Sequence, residues 1–399
     1  MLTNRQLFRL HMGLPSIVDD AIEFVRAEGI YLFDVDGHRH IDLVSGVAVS
    51  NVGHRHPEVV DAIRQQLDSY MHVMVYGKYV HAPQVQLAAL LAENLPSTLD
   101  CVFFVNSGSE AIEGALKLAK RVTNRPEIVH FRNAYHGGTA GALSLLGDER
   151  LKNSFRPLVP GTRMLDFNNF EQIAQISHQT AAVIVEPVQA EAGIILPKPG
   201  YLQALRQRCN DTGTLLVFDE IQMGFGRSGK LFTFEHEQVV PDILCLAKAM
   251  GGGMPIGAFV ASKEMMNALT HHPELGHITT FGGHPVSAAA ALASLRIILR
   301  EKLYENAERQ GLTFHTAMLS HPMVAEVRRC GLMLGVEVKP QLNMSRLMKS
   351  LKQNRLVVDQ FLFYENAFRI APPLMITDKE TQSAIQIILQ SLNEQSKLK

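Results

Sequence analysis

The middle of the chain alternates short apolar runs with segments of helical periodicity. The runs are CVFFV (101–105), EIVHF (127–131), AAVIVE (181–186), TLLVFDE (214–220), DILCLAK (242–248) and GAFVAS (257–262). After the first of them, apolar residues of EAIEGALKLAKRV fall on one helical face. Short buried strands that alternate with helices are typical of an α/β fold with a mostly parallel sheet.

The two ends of the chain show a different pattern. The segment GIYLFDVDGHRHIDLV near the N-terminus has a D-G turn between apolar runs, which predicts a hairpin. Near the C-terminus an Ala-rich helix is followed by strand patterns in GLMLGVEV and FRIAPPL and by a final helix. We therefore predict a large central domain at 51–286 and a smaller α+β domain built from 1–50 and 287–399.

Composition narrows the class of protein. The chain has 399 residues, of which 46% are apolar and 19% charged, as expected of a compact protein with a large core. A net charge of −1 argues against nucleic acid or an anionic membrane as a partner. The four cysteines are widely spaced, so no disulfide framework is indicated. Because no apolar signal core or long apolar stretch is present, we expect a cytoplasmic protein.

Polar residues follow nearly every predicted strand. They include the segments NSGSE and AYHGG and the residues Glu186, Asp219 and Lys248. In open α/β sheets, ligands bind outside the carboxyl ends of the strands. We therefore expect these residues to converge on one site.

Lys248 ends a buried apolar run and is followed, three residues later, by Gly251, Gly252 and Gly253. Burial disfavours the charged ammonium, which lowers the pKa of a lysine and frees its amine as a nucleophile. Asp219 ends the preceding run in the same way. A lysine that forms a Schiff base and a carboxylate at a ring nitrogen are the features by which proteins hold pyridoxal 5'-phosphate (PLP).

Three other motifs have alternative interpretations. Asn106–Ser109 stands between a strand and a helix, where it can bind an anion or simply cap the helix. The segment GFGRSGK (224–230) matches parts of two nucleotide-binding motifs. However, Leu231 stands where Ser or Thr would hold magnesium, and no helix follows, so a loop that shapes a pocket is favoured. His54-Arg55-His56 lacks a third ligand at a telling spacing, so a structural role is favoured over a metal site.

Two further residues are ambiguous from the sequence. Glu191 lies in the loop segment EPVQAEAG, where glutamates are commonly solvated, and Arg369 lies in the apolar stretch FRIAPP. A buried guanidinium needs a carboxylate partner. Arg369 can therefore form a structural salt bridge or bind a substrate carboxylate.

Taken together and in order, six segments resemble the class III (ω-amino) PLP-dependent aminotransferases. They are VNSGSEA, AYHGGT, VEPVQAEAG, VFDEIQMGFGRSG, LAKAMGGGMPIGA and TTFGGHP. The resemblance extends from VDGHRHIDLVSG to FRIAPP. It implies the fold-type-I PLP architecture and a homodimer in which Thr280 reaches the neighbouring active site.

The resemblance also implies roles for the site residues. Lys248 would form the Schiff base and move the proton, and Asp219 would pair with the ring nitrogen. Gln222 would lie near the ring oxygen, and Tyr135 would stack on the ring. The implied cofactor-binding set is Ser107, Gly108, Ser109, Tyr135, His136, Glu186, Asp219, Gln222, Lys248 and Thr280. No metal is implied.

For the substrate, the resemblance implies that Arg369 binds the α-carboxylate of glutamate or 2-oxoglutarate, and that Glu191 masks it for other substrates. The implied reaction moves an amino group from an ω-amino or amino-acid donor to 2-oxoglutarate by a ping-pong mechanism. Ornithine, acetylornithine and 4-aminobutyrate are the donors considered. Gly138 stands where ornithine-type members carry an arginine for the donor's α-carboxylate, which favours a donor without that group. Other PLP chemistry (a mutase, racemase or decarboxylase) and a nucleotide-binding protein are the alternatives.

Overall fold

The computed structural model describes residues 2–16 and 21–396. The strands are β1 (Phe24–Glu28), β2 (Tyr31–Asp34), β3 (Arg39–Asp42), β4 (Cys101–Val105), β5 (Glu127–Phe131), β6 (Thr162–Leu165), β7 (Thr180–Val185), β8 (Leu215–Asp219), β9 (Ile243–Leu246), β10 (Gly257–Ala261), β11 (Val324–Cys330), β12 (Met333–Val338), β13 (Leu356–Val357), β14 (Asp359–Gln360) and β15 (Ala367–Ile370).

The helices are α1 (Asn4–His11), α2 (Ser45–Ala48), α3 (Pro57–Ser69), α4 (Ala82–Glu93), α5 (Gly108–Thr123), α6 (Ala140–Ser144), α7 (Glu149–Lys152), α8 (Tyr201–Thr212), α9 (Lys263–Met266), α10 (Pro285–Arg300), α11 (Leu303–Leu319), α12 (Met344–Gln353) and α13 (Asp378–Ser396). Short 3-10 turns occur at Asn153–Phe155, Glu171–Gln175, Thr233–His236, Lys248–Gly251 and Asn267–Leu269. Within the described residues, no helix combines the length and apolar character that crossing a bilayer requires.

A seven-stranded sheet forms the centre of the molecule, in the order β4-β10-β9-β8-β7-β5-β6. All pairings among β9, β8, β7, β5 and β6 are parallel, and β10 runs antiparallel to both of its neighbours. Every residue of β7, β9 and β10 is buried, as expected for strands covered on both faces. The prediction of a mostly parallel α/β sheet is confirmed, and the edge strand β6 is an addition to it.

Helix α5 covers one face of this sheet, next to β7, β9 and β10. The Ser107 hydroxyl caps its N-terminus, and Asn124 in the left-handed conformation ends it. Gly114 lies directly against the Phe259 ring, where a Cβ atom would collide with the ring. The close approach of α5 to the sheet fixes the position of its N-terminus, which matters for the site below.

Both ends of the chain contribute to one smaller sheet. Strands β1, β2 and β3 form an antiparallel meander with the predicted hairpin, and β13 from the C-terminal region pairs with β3 in parallel. A second sheet has the order β11-β12-β15-β14. The fold is therefore the predicted one, a large parallel-sheet domain with a small domain from both ends. The boundaries at residues 50 and 286 stay predictions.

The GFGRSGK segment is a structural connection rather than a wall of the pocket. Its Arg227 side chain is fully buried and donates to the carbonyls of Leu332 (2.9 Å) and Pro372 (2.7 Å) and to Asn51 Oδ1 (2.6 Å). Leu332 and Pro372 belong to the C-terminal part of the small domain, and Asn51 lies at the boundary with its N-terminal part. The prediction of a pocket-shaping loop was therefore wrong in detail, because the buried arginine ties the central domain to the small one.

His54 also has a structural contact. Its Nε2 lies 2.7 Å from Asp42 Oδ2, and both side chains are largely buried. The pair connects the loop before α3 to the end of β3. This agrees with a structural role for His54.

Candidate active site

The carboxyl ends of the central strands open onto a cavity of about 480 Å³. Its lining consists of Val49, Asn106, Ser107, Gly108, Ser109, Tyr135, His136, Gly137, Glu186, Asp219, Ile221, Gln222, Met223, Ala247, Lys248, Gly253, Met254, Pro255 and Ile256. Most of the residues expected to bind a cofactor are among them. The cavity lies where ligands bind in open parallel sheets.

Lys248 follows β9 by two residues and begins the 3-10 turn Lys248–Gly251. Its φ of 48° is in the left-handed region, which is uncommon for a residue with a side chain and occurs often at functional sites. Burial lowers the pKa of the Lys248 ammonium, and the carboxylate of Glu191 opposes this shift only in part. A lysine with a lowered pKa has more of the neutral amine that can attack a carbonyl.

Asp219 ends β8 and has two hydrogen bonds that fix its carboxylate. Its Oδ1 accepts from the Ile221 amide (3.0 Å), and its Oδ2 lies 2.7 Å from His136 Nδ1. Because that oxygen can only accept, Nδ1 of His136 carries the proton. Burial opposes the charged form of His136, but the hydrogen bond and the charge of Asp219 outweigh it and raise the pKa of His136.

The N-terminus of α5 forms another side of the cavity. Ser107 Oγ accepts from the Glu110 amide (3.2 Å), and Ser109 Oγ accepts from the Gly138 amide (2.9 Å). A Cβ on Gly108 would lie 2.9 Å from Ile221, so the close packing there requires glycine. Ser107 thus caps the helix and also lines the cavity; anion binding by this segment stays a prediction. Helix N-termini favour anions such as phosphate.

Glu186, directly after β7, holds two loops in place. Its Oε1 accepts from the amide of Tyr135 and its Oε2 from that of Ala190, both at 3.0 Å. Burial raises the pKa of Glu186 to about 7, although the charge of His136 acts against the shift. The first contact positions the Tyr135 ring at the cavity wall.

Arg369 and Glu191 form a buried ion pair next to the cavity. Arg369 Nη2 lies 2.8 Å from each carboxylate oxygen of Glu191, and the arginine is 1% exposed. Gln222 lines the cavity and donates to Glu191 Oε1 (3.1 Å). Burial raises the pKa of Glu191, but the charge of Arg369 outweighs it and holds that pKa below its usual value.

Thr280 is the predicted residue that lies apart from the others. It is exposed, and its hydroxyl lies 3.3 Å from that of Tyr76. It does not line the cavity of its own protomer. Its expected role in a neighbouring subunit stays a prediction.

Several wall residues were not predicted from the sequence. Val49, Met223, Met254 and Pro255 line the cavity with apolar atoms. Nothing in their residue type distinguishes them from core residues. Val49 is a partial exception, because it follows Ser45–Ala48, in which all four residues have positive φ. The resemblance to a family did not point to that conformation.

Comparisons with known proteins agree with this geometry. The model of the aminotransferase class-III family matches residues 17–392. The acetylornithine aminotransferase of Methanopyrus kandleri is 40% identical over 375 residues, or 93% of this chain and 94% of that protein. The ornithine aminotransferase of Toxoplasma gondii ME49 has a TM-score of 0.92 at 29% identity, over 100% of this chain and 97% of the other. A PLP-bound amine transaminase from an uncultivated Pseudomonas species gives 0.87 at 29%, over 96% and 98%.

The chain therefore belongs to the class III aminotransferases and is a PLP-dependent transaminase. The side chains present suit that cofactor. The α5 N-terminus with its serine hydroxyls suits a phosphate, the Asp219 carboxylate suits a protonated ring nitrogen, and the Lys248 amine suits an aldehyde. Among the described residues, no hydrogen bond holds Lys248 Nζ, which leaves it available for that bond.

Proposed function

We propose that this protein moves an amino group from an ω-amino or amino-acid donor to 2-oxoglutarate by a ping-pong mechanism, with Lys248 as the covalent attachment of the cofactor. The observation that carries the proposal is the position of Lys248 in one cavity with Asp219, beside the Arg369–Glu191 pair. The lysine and aspartate support PLP chemistry. The arginine supports a substrate that carries a carboxylate.

Each residue has a distinct task in this proposal. PLP, when bound, supplies an electron sink that stabilises a carbanion at the substrate Cα. Asp219 keeps the ring nitrogen protonated, and His136 holds Asp219 in its orientation. With substrate bound, the Lys248 amine would hold and move the proton at the substrate Cα. Its lowered pKa suits a base that works near neutral pH.

The Arg369–Glu191 pair supports two substrates in one pocket. A ping-pong transaminase binds its donor and its acceptor in succession at the same site. With Glu191 on Arg369, the site carries no unpaired positive charge and accepts a neutral or amine-bearing substrate. When Glu191 turns away, Arg369 can bind the carboxylate of glutamate or 2-oxoglutarate through its planar fork of donors.

Gly138 supports a donor that needs no arginine at that position. It is exposed, and a Cβ placed on it would have no heavy atom within 4 Å. The space that an arginine side chain would take is therefore open. An ω-amine without an α-carboxylate fits this opening better than ornithine or acetylornithine.

A homodimer is part of the same proposal. Thr280 lies on the surface between two half-exposed apolar residues, Ile278 at 48% and Phe281 at 54%. An exposed apolar patch of this kind suits contact with a second copy. Thr280 would then reach the phosphate of the partner's cofactor.

The test is the half-reaction of the PLP-loaded protein, followed by absorbance with one substrate at a time. Arg369→Ala should reduce kcat/KM for glutamate by about 30- to 5,000-fold, the effect of losing about 2–5 kcal/mol of charged contact. The half-reaction with 1,4-diaminobutane, which has no carboxylate, should change little. Equal losses with both substrates, or none with glutamate, would refute the assignment of Arg369.

Two controls make the result specific. Arg369→Lys keeps the charge but loses the planar fork, so it should fold and still lose most of the glutamate activity. Arg132→Ala removes an arginine that is 56% exposed and paired with Asp166, and it should behave as wild type. A colourless protein that takes up no PLP would contradict the cofactor role. Release of CO₂ or racemised product without a 2-oxo acid would favour the alternative PLP reactions.

A further inference from the structure

Arg369 has a second carboxylate beside it. Asp359 Oδ1 lies 3.4 Å from Arg369 Nε, whereas Glu191 contacts Nη2. Neither Asp359 Oδ1 nor Arg369 Nε has a hydrogen-bond partner in the described residues, although both atoms are buried. The two groups are therefore held in ionic contact without the geometry of a hydrogen bond.

The backbone fixes Asp359 in this position. Asp359 in β14 and Arg369 in β15 are direct cross-strand partners in an antiparallel pair. The side chains of such partners stay close as long as the strands stay paired. Glu191 is attached differently, because it lies in a turn between Gln189 and Ile195 and reaches Arg369 only through its side chain.

This difference determines which carboxylate stays near Arg369 when a substrate binds. Rotation of its longer side chain takes the Glu191 carboxylate away from Arg369, whereas the strand pair keeps the backbone of Asp359 opposite Arg369 and its short side chain close to the guanidinium. Nη1 of Arg369 is buried and also without a hydrogen-bond partner in the described residues. Once Glu191 has moved, the edge formed by Nη1 and Nη2 is open to a carboxylate, while Asp359 still neutralises the Nε side.

We propose that Asp359 is a specificity-determining residue that weakens the binding of dicarboxylate substrates at Arg369 by keeping a second negative charge on the guanidinium. The inference rests on the proposed role of Arg369. As a consequence, the protein should bind glutamate and 2-oxoglutarate less tightly than it would if Glu191 were the only carboxylate beside Arg369.

The charges around Asp359 give this effect a pH dependence. Burial raises the pKa of Asp359 to about 6; Arg369 acts against that shift, and Glu191 and Asp42 add to it. These are the charged groups that face it from β15, from the loop after β7 and from β3. As pH falls through about 6, Asp359 takes up a proton and its repulsion of a bound carboxylate is lost. Dicarboxylate affinity should therefore be higher below pH 6 and lower above it.

The experiment measures the binding of glutarate, a dicarboxylate that cannot react, to the PLP-loaded protein by calorimetry between pH 5 and 8. Asp359→Asn keeps the size of the side chain and removes its charge. At pH 8 it should bind glutarate about tenfold more tightly than wild type, since one repulsive charge near the site is gone. Its affinity should vary less with pH than that of wild type.

Matched controls separate the inference from the proposed function. Asp166→Asn makes the same change in charge at the exposed Arg132 pair and should leave glutarate binding as in wild type. Arg369→Lys tests the proposed function by itself, because glutarate binding that is unaffected there shows that Arg369 is not the carboxylate site.

The outcomes then divide clearly. Tighter glutarate binding by Asp359→Asn, together with a loss in Arg369→Lys, supports the inference. Unchanged or weaker binding by Asp359→Asn, with the loss in Arg369→Lys intact, overturns it while the proposed function stands.

Discussion

His136 provides the sharpest test of how the cofactor site is built, because it acts through Asp219. Its Nδ1 donates to Asp219 Oδ2 at 2.7 Å, and both side chains are almost completely buried. Its Nε2 has no partner among the described residues. His136→Ala removes the hydrogen bond and the positive charge together, whereas His136→Asn can place an amide N–H near the position of Nδ1.

The magnitude follows from what Asp219 loses. A hydrogen bond to a charged group contributes about 1.5–3 kcal/mol, and a buried carboxylate left without it is disfavoured in its ionised form. Asp219 would then bind a protonated ring nitrogen less strongly. We expect His136→Ala to raise the dissociation constant for PLP by about 10- to 150-fold. His136→Asn should retain part of the affinity.

The sign of the pH dependence follows from the raised pKa of His136. The stabilisation from the charged pair is fully present below the usual histidine pKa of about 6.5. It is lost as pH rises through the raised value in the folded protein. Wild-type PLP affinity should therefore fall at alkaline pH, and this part of the pH dependence should be absent in His136→Asn.

The assay is equilibrium dialysis of PLP against each variant from pH 6 to 10, with the yellow absorbance as the readout. Urea unfolding of the apoproteins shows whether the variants fold. If His136→Ala binds PLP as tightly as wild type while folding normally, then Asp219 does not depend on His136 and the reasoning is wrong. Tighter binding by Ala than by Asn would refute the hydrogen-bond explanation in particular.

Two further predictions concern the donor pocket and the connection between domains. Gly138→Arg should raise kcat/KM for acetylornithine or ornithine by about tenfold or more, because the space is open and an arginine can hold the donor carboxylate; unchanged donor kinetics would show that Gly138 is not the specificity position. Arg227→Met should lower the free energy of unfolding in urea by about 3–5 kcal/mol, because it leaves two buried carbonyls and Asn51 without a donor. Arg132→Met, at an exposed arginine, should change that free energy by less than about 0.5 kcal/mol.

Much of the fold follows from local pattern. The apolar runs that predicted strands correspond to β4, β5, β7, β8, β9 and β10, because buried strands of a parallel sheet are continuous in apolar residues. The site residues at strand ends followed from the same pattern. Lys248, Asp219 and Glu186 line one cavity because the carboxyl ends of parallel strands meet at one edge.

Other features depend on contacts between distant parts of the chain. The direction of β10 cannot be read from GAFVAS, since antiparallel and parallel strands with two covered faces look alike in sequence. The structural role of the GFGRSGK loop could not be predicted, because the partners of Arg227, which are Asn51, Leu332 and Pro372, are remote in sequence. Asp359 was overlooked for the same reason, because only the register of β14 and β15 places it on Arg369.

The charged residues of the site form two groups with different proposed ligands, the cofactor and the substrate. In the proposed function His136 and Asp219 face the cofactor, and a direct hydrogen bond joins them. Arg369, the proposed substrate-binding arginine, has one carboxylate on a turn and another on a neighbouring strand. A cofactor that stays bound through every turnover requires the fixed pair. A site that must accept two different substrates requires a partner that can move, and Glu191 is the carboxylate whose attachment permits this.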